Sequence, residues 1–266
     1  MSQPVQMVNT PLPDIIELKG IKQVYDGKPP VLEDLNLLIE DKPNQGQFIV
    51  FLGPSGCGKS TILRYIAGLQ TPTEGEVLLY AKPRQKTDRI GMVFQQYSSF
   101  PWMSVLDNVA LGLEYQGMSK TERHEKAMEM IKKVGLEGHE HKYAQYPTLS
   151  GGQLQRVAIA RSLLYDPKIL LMDEPFGALD IETRSQMQDL LAEIWIDIHP
   201  TIIFVTHDIS EAVYLGDDIY VLGRNPGNII AHYTSPLPLK RTRDMKRQNA
   251  FVSRVNEIED FMTRHS

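Results

Sequence analysis

Phe48-Ile49-Val50-Phe51-Leu52 runs directly into Gly53-Pro54-Ser55-Gly56-Cys57-Gly58-Lys59-Ser60-Thr61. The five apolar residues ending at a glycine have the length and composition of a strand buried on both faces. The nine that follow fit G-x-x-x-x-G-K-[ST], and a helix is expected over 60–69. Strand, glycine-rich turn and helix, in that order, let successive backbone N–H groups converge on phosphate oxygens. The helix N-terminus adds partial positive charge at the same place. In such a loop Lys59 reaches the β- and γ-phosphates, the Ser60 hydroxyl coordinates Mg²⁺, and Thr61 supports the phosphates nearby. The plain alternative is a glycine turn between strand and helix; the full pattern in this context favours the phosphate reading. Cys57, inside the loop, reads as a small filler, although an exposed thiol there would be open to oxidation or alkylation.

A chain of 266 residues can hold one large domain or two tightly packed subdomains with a full core. Its 28 basic and 33 acidic residues leave a net charge of −5, so no overall basic field exists to hold nucleic acid. No apolar run approaches the ~20 residues needed to cross a bilayer; the longest are pieces such as Ile169-Leu170-Leu171-Met172. Residues 1–13 lack a signal peptide's layout and are expected to form a disordered tail. A membrane role must therefore run through partner chains. Cys57 is the single cysteine, so no internal disulfide can form, which fits a reducing cytosol.

Over 15–39, short apolar stretches alternate with turn signals at Asp26-Gly27 and Pro29-Pro30, a pattern of antiparallel strands. Buried-strand runs recur at 90–94, 169–172, 201–205 and 218–222. Between them lie helical patterns. Ser119-x-x-Glu122 reads as a capping box, and Ala127, Met130, Ile131 and Val134 follow on one face. Met187, Leu190, Leu191, Ile194 and Ile198 repeat that spacing until His199-Pro200 ends it. This alternation implies an α/β fold with a mostly parallel sheet, an N-terminal antiparallel β part, and a helical insert over 98–165. The expected organisation is a tail at 1–13, a main domain at 14–235 and a C-terminal piece at 236–266. In that last piece Lys240-Arg241-Thr242-Arg243-Asp244-Met245-Lys246-Arg247 reads as a solvated basic linker in preference to a lipid contact. Phe251, Val255, Ile258 and Met262 then mark an amphipathic helix that packs on its own domain.

A phosphate loop alone leaves kinases, GTPases, helicases and transporters open. The guanine-reading Asn-Lys-x-Asp is missing: Gln85-Lys86-Thr87-Asp88 lacks the asparagine and stands at the wrong spacing. The deciding stretch is Leu149-Ser150-Gly151-Gly152-Gln153. Ser150 suits the N-cap of a helix running to 164, and Gly151 and Gly152 leave backbone N–H groups open to an anion. A capped helix start explains the serine, but not two glycines followed by glutamine.

With these motifs in order, the chain resembles the nucleotide-binding subunit of ABC transporters over about residues 14–233, with a P-loop NTPase core. The resemblance implies roles residue by residue. Tyr25 stacks on adenine. Gly53, Pro54, Ser55, Gly56, Cys57, Gly58, Lys59, Ser60 and Thr61 hold the phosphates. Gln95 touches Mg²⁺ and senses the γ-phosphate. Asp173, closing Lys168-Ile169-Leu170-Leu171-Met172-Asp173, binds the Mg²⁺ shell. Glu174 orients and deprotonates the attacking water, Asp180 belongs to a loop that crosses to a partner, and His207 contacts the γ-phosphate. Taken singly, Tyr25 could be strand packing, Gln95 or His207 structural, and Glu174 a helix N-terminal carboxylate. The resemblance further implies ATP and Mg²⁺, and a second cassette, identical or closely paralogous. ATP would lie between the phosphate loop of one chain and Ser150, Gly151, Gly152 and Gln153 of the other.

Repair and chromosome ATPases of this kind insert a long coiled coil between the two motifs, and translation types carry two cassettes; neither feature is present. A non-transport ATPase acting on nucleic acid or ribosomes is the alternative, and the acidic balance counts against it. Phe100 and Trp102, around Pro101, fall where the family receives a coupling helix from the membrane subunit; local core packing is the plain reading. Phe100-Pro101-Trp102-Met103-Ser104-Val105-Leu106-Asp107-Asn108-Val109 and Phe176-Gly177-Ala178-Leu179-Asp180 are most similar to the nitrate, sulfonate and taurine importers. That resemblance implies import of a small anion through a separate permease served by a substrate-binding protein. It places the chain in the cytoplasm, on the inner face of the membrane. Asp41-Lys42-Pro43-Asn44-Gln45-Gly46 departs from the pattern as a longer hairpin, and Gln96 also differs.

Overall fold

The computed structural model describes residues 14–42, 45–85, 88, 90–96, 98–224 and 226–265. The tail at 1–13 lies outside them. Strands β1 (Ile16–Gln23) and β2 (Leu32–Ile39) pair antiparallel. Strand β3 (Gln47–Leu52) leads into helix α1 (Lys59–Ala67). Strands β4 (Glu74–Leu79) and β5 (Lys82–Pro83) complete an antiparallel sheet of order β2-β1-β4-β5. After β6 (Ile90–Val93) come three helices, α2 (Val105–Tyr115), α3 (Lys120–Lys133) and α4 (Gly151–Leu164). The chain then alternates: β7 (Ile169–Asp173), α5 (Ile181–Ile198), β8 (Thr201–Thr206), α6 (Ile209–Leu215), β9 (Asp218–Leu222) and β10 (Ile229–Thr234). A 3-10 turn (Arg243–Arg247) and helix α7 (Asn249–Arg264) follow. The second sheet has the order β10-β9-β3-β8-β7-β6 and is parallel except where β10 meets β9.

The unbroken apolar run of β3 has a geometric cause. Successive side chains of a strand point to opposite faces. Ile49 and Phe51 face one core, shared with β1, β2 and α1. Phe48, Val50 and Leu52 face the other, shared with the helices and including Trp195, Phe176 and Phe204. Both faces are covered, so positions 48–52 are all apolar, and Gln47 at the strand's start donates its amide to the Glu40 carbonyl. Side-chain caps start most of the helices: Ser104, Ser119, Ser150, Asp180 and Asp208 each accept a hydrogen bond from a backbone N–H of the first turn. At Ser119 only the serine half of the expected capping box forms. Helix α1 stops earlier than expected because Gly68 takes φ +68° as its C-cap.

Two expectations are corrected. The segment 41–46 is not a hairpin: β2 lies in the antiparallel sheet and β3 in the parallel one, so the segment carries the chain between sheets. Pro43 and Asn44 lie outside the described residues. The basic stretch at 240–247 is a solvated linker only in part: Lys240, Thr242, Arg243, Asp244 and Arg247 are exposed, while Arg241 is buried and Lys246 half-buried. Arg241 is only 6% exposed; it pairs with Asp217 at 2.9 Å and donates to the carbonyls of Tyr214, Gly216 and Leu237. Arg243 pairs with Asp189, and Lys246 Nζ lies 4.1 Å from the centre of the Tyr214 ring. Arg241 thus finds its acceptors inside the fold, while the Arg243–Asp189 pair stays exposed. Helix α7 does pack on its own chain, burying Phe251 and Ile258 against the helix-side core.

Candidate nucleotide site

The carboxyl ends of β3, β7 and β8 lie side by side, with Leu52 opposite Thr206 and Asp173 opposite Val205. In open α/β sheets that edge is where ligands bind. Gly56 and Gly58 adopt φ +83° and +100°, a conformation that side chains resist. A Cβ on Gly58 would also stand 2.5 Å from Leu32 Cδ2. The loop thus curls tightly over the start of α1. Lys59 is buried, and its Nζ donates to the carbonyls of Gly53 (2.7 Å) and Pro54 (2.9 Å). Its ammonium is held at the loop's own mouth. Ser60 Oγ donates to Asp173 Oδ1 at 2.8 Å, joining residues 113 apart in sequence. Burial raises the Asp173 carboxyl above its ordinary range, and the Ser60 hydrogen bond partly offsets this. Thr61 is buried beside them. Cys57 is 1% exposed, and burial pushes its thiol pKa up. The filler reading therefore holds and an exposed thiol is excluded.

Beyond β7, Glu174 adopts φ +44° and its N–H donates to Val205 O at 3.0 Å. Its Oε2 lies 3.1 Å from Nδ1 of His207, which follows β8 and is exposed. Gln95 is exposed just past β6, which ends at Val93 and not at 94. A Cβ built on Gly177 would be 3.8 Å from both Gln95 Nε2 and Glu174 Oε2, so amide and carboxylate flank the same turn. Tyr25 lies past the end of β1, half-exposed, its hydroxyl accepting from Gln70 Nε2 at 3.0 Å. Strand packing does not describe it.

The other motif begins α4. Ser150 and Gln153 form a complete capping box: Gln153 N donates to Ser150 Oγ, and Ser150 N donates to Gln153 Oε1. A capped helix start therefore accounts for the glutamine as well as the serine. A Cβ on Gly152 would stand 2.5 Å from Thr183 Cγ2, so close packing on α5 accounts for one glycine. Gly151 opens the helix, and the first-turn N–H groups beside it face no intrahelical partner. Asp180 caps α5, and bonds from the Thr183 N–H and hydroxyl hold its carboxyl below the ordinary range. Among the described residues, no hydrogen bond joins 150–153 to the loop at 53–61 of the same chain.

Asn108 was not singled out by sequence. It is fully buried; its Oδ1 accepts from Phe100 N, and its Nδ2 donates to the carbonyls of Phe100, Met103 and Ser104. One amide thereby shapes the whole 100–104 turn. The available signal was a polar residue on the apolar face of α2, between Val105 and Val109. The turn presents Trp102 at 70% exposure, 5.3 Å centroid to centroid from Phe100, with Arg161 over the Phe100 ring. Core packing does not explain Trp102.

The profile of the ABC transporter family matches residues 36–177. The chain is 46% identical over 217 residues to the taurine import ATP-binding protein TauB of Yersinia pestis, covering 81% of this chain and 82% of that one. It is 43% identical over 258 residues to the nitrate import ATP-binding protein NrtD of Synechocystis, covering 93% and 94%. Among solved structures, it superposes with TM-score 0.69 and 35% identity on an ATP-binding cassette in a dimeric post-hydrolysis state bound to ADP and Pi, covering 83% of this chain and 98% of that one. With the phosphate loop, Asp173 and Glu174 gathered at one sheet edge, these matches establish that the chain belongs to the ABC transporter family, among its ATP-binding proteins.

Proposed function

We propose that this chain is the ATP-hydrolysing subunit that energises import of a small solute bearing an anionic oxygen group through a separate membrane permease. The observation that carries the reading is the meeting of Lys59, Ser60, Asp173, Glu174 and His207 at the carboxyl edge of one sheet. ATP enters as substrate. Its phosphates accept hydrogen bonds from the Lys59 ammonium and from backbone N–H groups of the loop after Pro54, while Tyr25 meets the adenine. Glu174 takes a proton from water as the water oxygen bonds to the γ-phosphorus. The bond from that phosphorus to the bridging oxygen breaks and ADP leaves with the electron pair. His207, placed beside Glu174, contacts the γ-phosphate, and Gln95 senses its presence.

Ser60 and Asp173 offer oxygen donors already within 2.8 Å of each other, the chemistry that a hard divalent cation selects. These two, with Gln95, would hold Mg²⁺, which supplies neutralisation of phosphate charge.

A second cassette packs head to tail, so that Ser150, Gly151, Gly152 and Gln153 of one chain cap the ATP held by the other, and Asp180 crosses between them. Closure needs the γ-phosphate, and hydrolysis removes that bridge. Trp102 and Phe100 receive the permease. No described helix is long and apolar enough to cross a membrane; attachment at the cytoplasmic face runs through that partner. Taurine and nitrate, named for two relatives, point to a small solute bearing an anionic oxygen group as cargo, delivered by a substrate-binding protein. The non-transport reading loses ground at Trp102, whose exposure nucleotide chemistry does not require.

Phosphate release by the full chain with ATP and Mg²⁺ tests the enzyme reading, and co-purification with a permease tests the transport reading. A chain that binds no ATP, alone or with its permease, would overturn the first. Recovery with nucleic acid or ribosomes and no membrane protein would overturn the second.

A further inference from the structure

The basic segment that the sequence presents as a linker reaches the nucleotide edge through a line of buried and part-buried hydrogen bonds. Lys246 Nζ donates to Gln188 Oε1 on α5. Gln188 Nε2 donates to Glu211 Oε1 on α6 at 3.0 Å. Glu211 Oε2 accepts from Thr206 Oγ1 at 2.7 Å, and Thr206 Oγ1 in turn accepts from Asp208 N at 3.0 Å. Thr206 and Asp208 are the two neighbours of His207. Gln188, Thr206 and Glu211 are all buried.

The line has a direction set by chemistry. An ammonium only donates, so Lys246 fixes which end of the Gln188 amide is oxygen and turns its NH₂ toward Glu211. A carboxylate only accepts, so the Thr206 hydroxyl donates to Glu211 and leaves its oxygen's lone pairs for the Asp208 N–H. Reversing any member leaves a buried donor facing a donor, at the full cost of an unmade hydrogen bond. Arg241 grips the other end of α6, donating to Tyr214 O (3.1 Å) and Gly216 O (3.2 Å). The helix that follows His207 is thus held at both ends by side chains from 236–247.

We propose that this C-terminal segment positions His207 for hydrolysis, with Lys246, Gln188 and Glu211 as positioning residues acting through Thr206 and Asp208. The inference rests on the role of His207 in the reading above. None of the three touches the nucleotide. A purely structural network would change stability and leave turnover per folded molecule alone; a positioning network changes turnover at constant nucleotide affinity, because misplacement of a reacting group costs rate and not binding.

The experiment measures kcat and KM for ATP, with thermal midpoints, on the full chain. Lys246→Met keeps the stem and removes the donor. It is expected to lower kcat roughly tenfold with KM unchanged, and Lys246→Arg is expected to restore it. Thr206→Val cuts the line at its far end, and the double variant Lys246→Met with Thr206→Val is expected to be no slower than Thr206→Val alone. Wild-type kcat in Lys246→Met, or losses that multiply in the double variant, would overturn the proposal. Should Lys246→Met not fold, Gln188→Met breaks the same line one link further in and is judged by the same outcomes. Wild-type turnover and its loss in His207→Ala are established first. If either fails, it is the function reading that falls.

Discussion

Ser60 Oγ and Asp173 Oδ1 stand 2.8 Å apart, a hydroxyl at the start of α1 meeting a carboxylate at the tip of β7. The hydrogen bond partly offsets the burial that raises the Asp173 carboxyl. Ser60→Ala deletes one oxygen donor without touching Lys59. The Mg²⁺ concentration giving half-maximal ATP hydrolysis is then expected to rise about tenfold or more, in line with the loss of one charge-assisted contact. A magnesium titration of phosphate release checks this; an unchanged midpoint removes Ser60 from the metal site.

Glu174→Gln keeps the shape at the end of β7 and removes the proton acceptor. Nucleotide binding is expected to persist while turnover falls by roughly 10²–10⁴-fold, the range for a positioned general base. The variant should also accumulate as a closed dimer in ATP, seen by size-exclusion chromatography. Wild-type hydrolysis in this variant sinks the assignment of the base.

Lys59 Nζ donates to the Gly53 and Pro54 carbonyls. Lys59→Ala loses that bond pair and the charge that meets the phosphates. Each such contact contributes about 1.5–3 kcal/mol, so affinity for ATP is expected to fall at least tenfold. Equilibrium binding of a fluorescent ATP analogue reads this directly.

Trp102 and Asn108 belong to one turn and should separate cleanly. Trp102→Ala touches an exposed side chain, so its stability should stay within about 0.5 kcal/mol of wild type while recovery with the permease drops. Asn108→Ala strands buried backbone groups of the turn and is expected to cost about 1–3 kcal/mol as well as assembly. Urea denaturation and co-purification, run together, distinguish the two. A Trp102→Ala chain that still assembles normally removes Trp102 from the interface.

Burial holds the folded Glu211 carboxyl above its ordinary 4.5, offset in part by Thr206 and Gln188. Through that window the folded chain therefore binds more protons than the unfolded chain. The stability contributed by this group falls as pH rises from about 4.5 to the raised value, and is flat above it. Glu211→Gln abolishes the titration. The difference in unfolding free energy between wild type and variant should decline over that window; a difference independent of pH would show that Glu211 titrates normally.

Local pattern carried much of the fold. The buried strands, the antiparallel N-terminal pairing and the amphipathic faces of α3, α5 and α7 were legible because period and burial are coupled residue by residue. The phosphate-loop motif was legible for the same reason: its glycines, lysine and hydroxyl lie within the nine residues 53–61. The segment 41–46 was misread because nothing local tells a strand which sheet it will join. Ser150 and Gln153 were legible as a motif, but their reciprocal capping and the close contact of Gly152 with Thr183 needed coordinates.

The sequence by itself determined the family, the α/β alternation and the phosphate-loop motif, since each depends on residues close together in the chain. Only the tertiary structure decided that Ser60 meets Asp173, that His207 meets Glu174, that Cys57 is shielded, that Arg241 is internal and that Lys246 meets Gln188. Those outcomes depend on which buried acceptors lie across the fold from each donor, and charge along a chain carries no record of distance through space.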